Sequence, residues 1–356
     1  MDKYITLSPE AKGTFNDRLN FLYLKIGNYL DTENLQNRTL QYCKVFLSDS
    51  KNQIKELQES LLYQEFLKDT NLTIVEQPPL DGSKISLLIK TTDDKTPILF
   101  HSLRLTEEEA KGKDSYEQTR MLFERYLSLI ADTDMTMERN LVRTWIYVTD
   151  IDVNYQGVVE ARNDVFSSQQ GLTADTHYIA STGIGGSTSV LNASVAIDFL
   201  TIPDINEENK KYLQALEHLN PTHEYGVAFE RGTRVTIPVH SVNSDGNQQF
   251  KQQYFISGTA SIDKQGDVVY EGDIVRQTGR LLENIGALLK DGDATMNDIQ
   301  YFIIYLRDIS DYHTVDRLMQ QFYPQIPRII VDAKVCRPGW LIEMECIAEK
   351  ETCSTK

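Results

Sequence analysis

Three apolar runs of equal length, each closed by aspartate, recur along this chain: Cys43-Lys-Val-Phe-Leu-Ser-Asp49, Thr144-Trp-Ile-Tyr-Val-Thr-Asp150 and Phe302-Ile-Ile-Tyr-Leu-Arg-Asp308. Each is followed by an amphipathic stretch, at Ile54 to Phe66, Tyr155 to Phe166 and Tyr312 to Phe322. A second apolar strand comes next, at Leu72 to Val75, His177 to Ala180 and Arg328 to Val331. After a turn, a last strand closes each unit, at Ile85 to Ile89, Val195 to Leu200 and Leu341 to Ile347. An internal repeat fixes the architecture before any single element does. The runs are roughly 100 and 158 residues apart, too long and uneven for a solenoid. The expectation is an α+β chain of three small units with helices on one sheet face.

The chain of 356 residues exceeds what one core usually holds. The reading divides it into a first unit at 1–95, a second at 96–203, a linker at 204–222 and a third unit at 223–356. The first unit shows no first helix comparable with Ser115 to Ile130 of the second, so it is expected to be truncated. Tyr212, Leu213, Leu216 and Leu219 suggest a short bridging helix in the linker. In the third unit, Ile274, Thr278, Leu281, Leu282, Ile285 and Leu288 recur at helical spacing behind Asp273, a residue suited to cap a helix start.

No apolar run approaches 18 residues, and the N-terminus lacks a basic and apolar leader, so a cytoplasmic protein without membrane contact is expected. The four cysteines have no CxxC spacing and the six histidines no metal spacing, so no metal is expected. Neither a P-loop nor a Gly-x-Ser-x-Gly elbow occurs, and no organic cofactor is expected. The net charge of −16 repels polyphosphate and argues against nucleic-acid partners. A small anionic substrate would need a locally cationic pocket.

The segment from Ile256 to Ala348 carries Ser257-Gly-Thr-Ala-Ser261, Gly272-Asp273, Gln277-Thr278, Tyr305-Leu-Arg-Asp308, Arg328 and Glu343. It resembles the YjgF/Rid (UK114) family. The resemblance implies chorismate-mutase-like α+β units. It also implies that Arg328 grips a substrate carboxylate and that Glu343 moves a proton. That family forms homotrimers with sites between subunits, so three units in one chain would make a tandem pseudo-trimer, either monomeric or weakly homo-oligomeric. Without gaps, Ala196 and Ser86 stand where the third unit has Glu343, and His177 or a neighbour stands where it has Arg328. One complete cleft is therefore expected, bordered by the third unit and the middle one.

Four further motifs are similar to those of chorismatases: His177 to Gly186, Tyr225 to Thr233, Ile256 to Ile262 and Val335 to Glu345. The likeness covers the last two-thirds and implies cleavage of chorismate to pyruvate and a dihydroxycyclohexadiene carboxylate or hydroxybenzoate. The alternatives are a Rid-type enamine/imine deaminase and a non-catalytic small-ligand binder.

The residues suit such chemistry. Chorismate is a dianion, and cleaving its enolpyruvyl ether needs an acid still protonated near neutral pH. Glu343 in a dry strand qualifies, and Glu345 on the same face would raise its pKa. The alternative makes both of them edge-strand charges, and the catalytic reading is preferred for Glu343. Arg328 offers a bidentate grip, or a surface salt bridge. Arg162 and Arg231 are the leading candidates for the second cation, ahead of Lys334 and Arg337. Tyr225 is a candidate to hydrogen-bond a ring hydroxyl or to serve as packing, and Cys336 to shape the ring pocket or remain an inert core thiol.

Overall fold

The structure, a computed structural model, describes residues 2–10, 12–94, 96–169, 171–242 and 248–353. The first unit runs β1 (Lys3–Leu7), α1 (Phe15–Asn34), β2 (Thr39–Leu47), α2 (Ser50–Glu59), β3 (Asn71–Glu76) and β4 (Ile85–Thr92). The second runs β5 (Leu99–Leu103), a one-turn α3 (Glu107–Ala110), α4 (Ser115–Ile130), a one-turn α5 (Met137–Asn140), β6 (Leu141–Val148), α6 (Ile151–Ser168), β7 (Ala180–Gly185) and β8 (Val195–Thr201). The third holds β9 (Lys210–Tyr212), β10 (Gly232–Val242), β11 (Gln248–Ala260), α7 (Ile274–Asp291), β12 (Ile299–Leu306), α8 (Tyr312–Phe322), β13 (Arg328–Asp332) and β14 (Ile342–Cys353).

One topology is repeated. The sheets are ordered β1-β4-β2-β3, β5-β8-β6-β7 and β11-β14-β12-β13, the last extended by β10 and β9. In each, the strand made by an apolar run pairs in parallel with the strand after its helix (β2 with β3, β6 with β7, β12 with β13). The closing aspartates have a local reason in two units. Asp49 accepts from the Asn52 amide at the start of α2, and Asp308 accepts from Ser310 at 2.8 Å. Such side-chain oxygens satisfy free amides at helical starts.

Alternation along the runs builds two kinds of core. Cys43, Val45 and Leu47 pack under the first unit's helices, and Ile146 and Val148 under the second's. Phe46, Trp145, Tyr147, Ile303 and Tyr305 belong to a shared core where the three sheets meet. Both faces of β6 are covered, which is why that run is almost continuously apolar. The three units thus surround a pseudo-threefold axis with their helices outside. Among the described residues, no helix is long and apolar enough to cross a membrane.

Three expectations need correction. The first unit is not truncated, because α1 is a full first helix. It buries Leu19, Leu22, Ile26 and Leu30, and Thr14 with Asp17 forms its capping box. That stripe is one residue wide per turn and too narrow to stand out in the sequence. The linker forms no bridging helix: Lys210–Tyr212 instead adds a strand beside β10. The second unit's parallel strand begins at Ala180, three residues after His177. His177 stacks on Tyr212 at 4.2 Å between ring centroids.

Candidate active site

Where two units meet, the parallel edge strand of one faces the outer and closing strands of the next. Between the second and third units this leaves a cleft of about 490 Å³. Its walls are β7 (Ser181, Gly183), α6 (Tyr155, Val159, Arg162), the segment 226–231, the end of β11 (Gly258, Ala260), the turn 336–340 and Glu343 of β14.

Glu343 is 4% exposed. Burial, reinforced by the charge of Glu345, pushes its carboxyl up to about 8, against the opposing pull of Arg143 and Arg231. The close packing has a visible cause in Ser257-Gly258-Thr259. A Cβ on Gly258 would lie 1.9 Å from Glu343 Oε1, so only glycine leaves room for the carboxyl. Ser257 stitches the interface. Its hydroxyl donates to the Glu230 carbonyl at 2.6 Å and accepts from the Ser181 amide at 2.9 Å. Across the cleft, Gly183 admits the Tyr155 ring, since a Cβ there would approach Cε2 to 2.9 Å.

Arginines form the opposite charge. Arg162 is 2% exposed and Arg231 8%. Both guanidiniums lie against the ring of Phe229, at 5.6 and 5.5 Å from its centroid, and Arg231 also donates to the Asn220 carbonyl. Arg337 lies 4.8 Å from the centroid of Trp340 and donates to the Gly266 carbonyl. A guanidinium stacked on a ring keeps its direction. Cys336 lines the same cleft. Burial first and the Glu343 charge second push its thiol up to about 12, well above the range in which it would ionise near neutral pH.

Glu343, Arg162, Arg231 and Cys336 therefore share one cleft. The Tyr225 side chain lies outside the described residues; its backbone ends the short turn Thr222–Tyr225 that leads into Gly226 of the cleft wall. Arg328 is elsewhere. It lines a separate cleft of about 440 Å³ between the third and first units, with Ser8, Asp81, Tyr312 and Asp316. There it donates to Asp316 at 2.8 Å and to Gln320 at 2.9 Å. Its expected place beside Glu343 is thus corrected by geometry: β13 and β14 belong to one unit but face opposite neighbours. Strand register identifies the counterparts. Arg328 pairs with Phe302, as Ser181 pairs with Thr144 and Leu72 with Cys43. Glu343 pairs with Tyr305, as Ala196 pairs with Tyr147 and Ser86 with Phe46, in line with the ungapped reading of the last strands.

Two contributors escaped the sequence reading. Tyr155, Val159 and Arg162 are spaced i, i+4, i+7, a stripe on one helix face that would have found Tyr155. Arg143 stands just before the second apolar run and is 1% exposed. No local pattern marks it, because its partner Glu345 is in another unit.

The family described as Endoribonuclease L-PSP, the YjgF/Rid family, matches residues 244–350. A RutC family protein of Pyrococcus abyssi is 33% identical over 99 residues, covering 27% of this chain and 78% of that protein. This chain belongs to the YjgF/Rid family. A second family member, the 3-aminoacrylate deaminase RutC of Acinetobacter baylyi, is 30% identical over 96 residues, which is 26% of this chain and 76% of the relative. Family likeness at this level concerns the third unit. Over the whole length, a crystal structure of a chorismatase superposes with a TM-score of 0.64, covering 98% of each chain at 17% identity. The Rid-type units are therefore arranged as in that chorismatase fold.

Proposed function

We propose that this protein cleaves the enolpyruvyl ether of chorismate with water, with the cleft between the second and third units as its active site. One observation carries the reading. A buried carboxyl, pushed up to about 8 by its burial, faces a cleft also lined by Arg162, Arg231 and Arg337. That combination suits a dianion whose reaction begins with protonation of carbon. In a chain of net charge −16, such a cationic pocket has to be built locally.

Arg162 and Arg231 take the carboxylates, and Arg337 supplies further positive potential at the rim. Glu343 gives its proton to the enol methylene, turning the ether carbon into an oxocarbenium ion. Water adds to that carbon and returns a proton to the Glu343 carboxylate. The resulting hemiketal collapses to pyruvate and the ring alcohol. A dihydroxycyclohexadiene carboxylate results if the ring keeps its second hydroxyl, and a hydroxybenzoate if that hydroxyl leaves as water. A volume of about 490 Å³ falls in the range of small-molecule sites and accommodates a ring.

Deamination of small 2-imino acids is the second reading, favoured by the deaminase among the relatives. It calls for one arginine beside the acid in a small cleft. Here the edge strand beside Glu343 offers Ser181, and the cleft is larger and holds several arginines. A single experiment separates the readings: incubation of the pure protein with chorismate, and separately with a 2-imino acid generated in situ. Pyruvate with a ring product from the first supports the proposal; ammonia from the second with no pyruvate from the first rejects it.

A further inference from the structure

Next to the proposed acid, but outside the cleft, lies a buried ion cluster drawn from all three units. Glu345 follows Glu343 by two residues on β14, so both side chains project to the same face. Glu345 is 2% exposed. Its carboxylate accepts from Arg143 at 2.8 Å and from Trp145 Nε1 at 2.9 Å, and Lys44 Nζ of the first unit lies 4.0 Å away. Arg143 also donates to Ser257 Oγ at 3.2 Å and to Thr182 Oγ1. Thr182 Oγ1 accepts from the amide of Gly258, the residue against which the Glu343 carboxyl packs. The two acids are thus joined through Arg143, Thr182 and Gly258.

Two adjacent carboxyls in a dry site do not readily ionise together, and the proton settles on the one with weaker cationic support. Around Glu345 are Arg143, Lys44 and Trp145, with Tyr301, Tyr305 and Cys346 as neutral neighbours. Around Glu343 are Arg143, which exerts the larger pull, and Arg231, with Glu345 opposing them and Tyr155, Tyr305 and Cys336 beside it.

We propose that Glu345 is a positioning residue whose carboxylate, clamped by Arg143 of the second unit, assigns the shared proton to Glu343. The proposal rests on the reading of Glu343 as proton donor and adds where its protonation is set. The setting lies at the pseudo-threefold axis, so the acid of one cleft depends on correct docking of neighbouring units. Burial alone already raises Glu343, and the Glu345 charge is the next contribution.

The test titrates Glu343 directly, by carboxyl-carbon NMR on protein labelled at glutamate and assigned with Glu343→Gln. In the wild type at pH 6.5, Glu343 should carry the proton; a deprotonated Glu343 at that pH overturns the proposal. Glu345→Gln should lower the Glu343 midpoint by about one pH unit or more, a tenfold change in acidity. Because that variant leaves Arg143 buried without its partner, Glu345→Gln with Arg143→Met is measured beside it. It should show a smaller fall. Arg143→Lys alone keeps the charge and should leave the midpoint near that of the wild type. An unmoved midpoint in either folded Glu345 variant rejects the assignment. Turnover is read separately. If the midpoint falls as stated but wild-type protein releases no pyruvate from chorismate, the proton assignment stands and the reaction reading fails.

Discussion

The two clefts that flank the third unit are built from equivalent strands and carry complementary chemistry. Between the second and third units, the closing strand brings Glu343 and the edge strand brings Ser181. Between the third and first, the edge strand brings Arg328, while Ser86, the closing-strand counterpart of Glu343, is buried behind the lining residue Ser8, its hydroxyl bonding Ser8 and Ser83 at 2.8 and 2.9 Å. One holds the acid, the other the arginine. The acid's cleft gains its cations from α6 and the segment 226–231 instead of from the edge strand. In a single-chain trimer each unit donates to two clefts, so two residues fifteen positions apart can face different ligands. Once the units are fused, each cleft is also free to diverge on its own.

The strongest test of this asymmetry is removal of the acid. Glu343→Gln keeps shape and hydrogen bonding but has no proton to give. Pyruvate release from chorismate should fall by roughly 10²–10⁴-fold, the usual size of an acid–base contribution. Ser86→Ala, the counterpart position behind the other cleft, should leave the rate within about twofold. Equal losses would mean that the clefts are not divided as described.

Next come the cations. Arg162→Lys and Arg231→Lys keep the charge and lose the fork. A hydrogen bond to a charged group is worth about 1.5–3 kcal/mol, so kcat/KM should fall by roughly 10–100-fold in each. Arg328→Ala should change it by less than about twofold, since its fork is directed at Asp316 and Gln320. Steady-state kinetics on the three variants would sharpen the contrast. A large loss in Arg328→Ala with none in the other two would reverse it.

Much of the fold could be read from the chain because burial leaves a periodic trace. The three apolar runs became β2, β6 and β12, and Asp273 caps α7 as its position suggested, accepting from Arg276 at 3.0 Å. Glu343 stood out as a carboxylate in a strand otherwise apolar on its other face. What stayed hidden depends on neighbours in space. Which cleft Arg328 joins is decided by the docking of the first unit against β13, seen in the bond from Leu80 N to the Ile330 carbonyl at 2.9 Å. Arg143 has meaning only beside Glu345, 202 positions away. Helix α1 was missed because a stripe of four buried aliphatics over 20 residues differs little from a surface segment.

Gly258 offers a milder probe of the acid's cleft. In Gly258→Ala the added methyl would overlap Glu343 Oε1, so the carboxyl must rotate or the strands must part. Misplacement of a reacting group by about an ångström costs up to 10²-fold. A loss of about tenfold in kcat with little change in KM is expected. Unchanged kcat would show that the carboxyl acts from another rotamer.

The smallest effect concerns stability, and its sign is opposite to that of most substitutions. Burial pushes the Glu343 carboxyl from its ordinary value near 4.5 up to about 8 in the folded state, so between those values the folded state holds the extra proton. Stability from this group is therefore complete below the unfolded value and declines as pH rises toward the folded one. The substitution Glu343→Gln removes that liability, because a neutral amide is not penalised for burial as a charge is. The variant should melt close to the wild type at pH 5. At pH 8.5 it should be more stable, by roughly 1–2 kcal/mol, since a tenfold change in acidity corresponds to about 1.4 kcal/mol and relaxation of the site absorbs part of the difference. Ser86→Ala, which removes no titrating group, should show the same difference from wild type at both pH values. Melting temperatures of the three proteins at the two pH values make the comparison. A Glu343→Gln gain that is equal at pH 5 and pH 8.5 would mean that this carboxyl does not hold its proton across neutrality, and the chemical contrast between the two clefts would then need another origin.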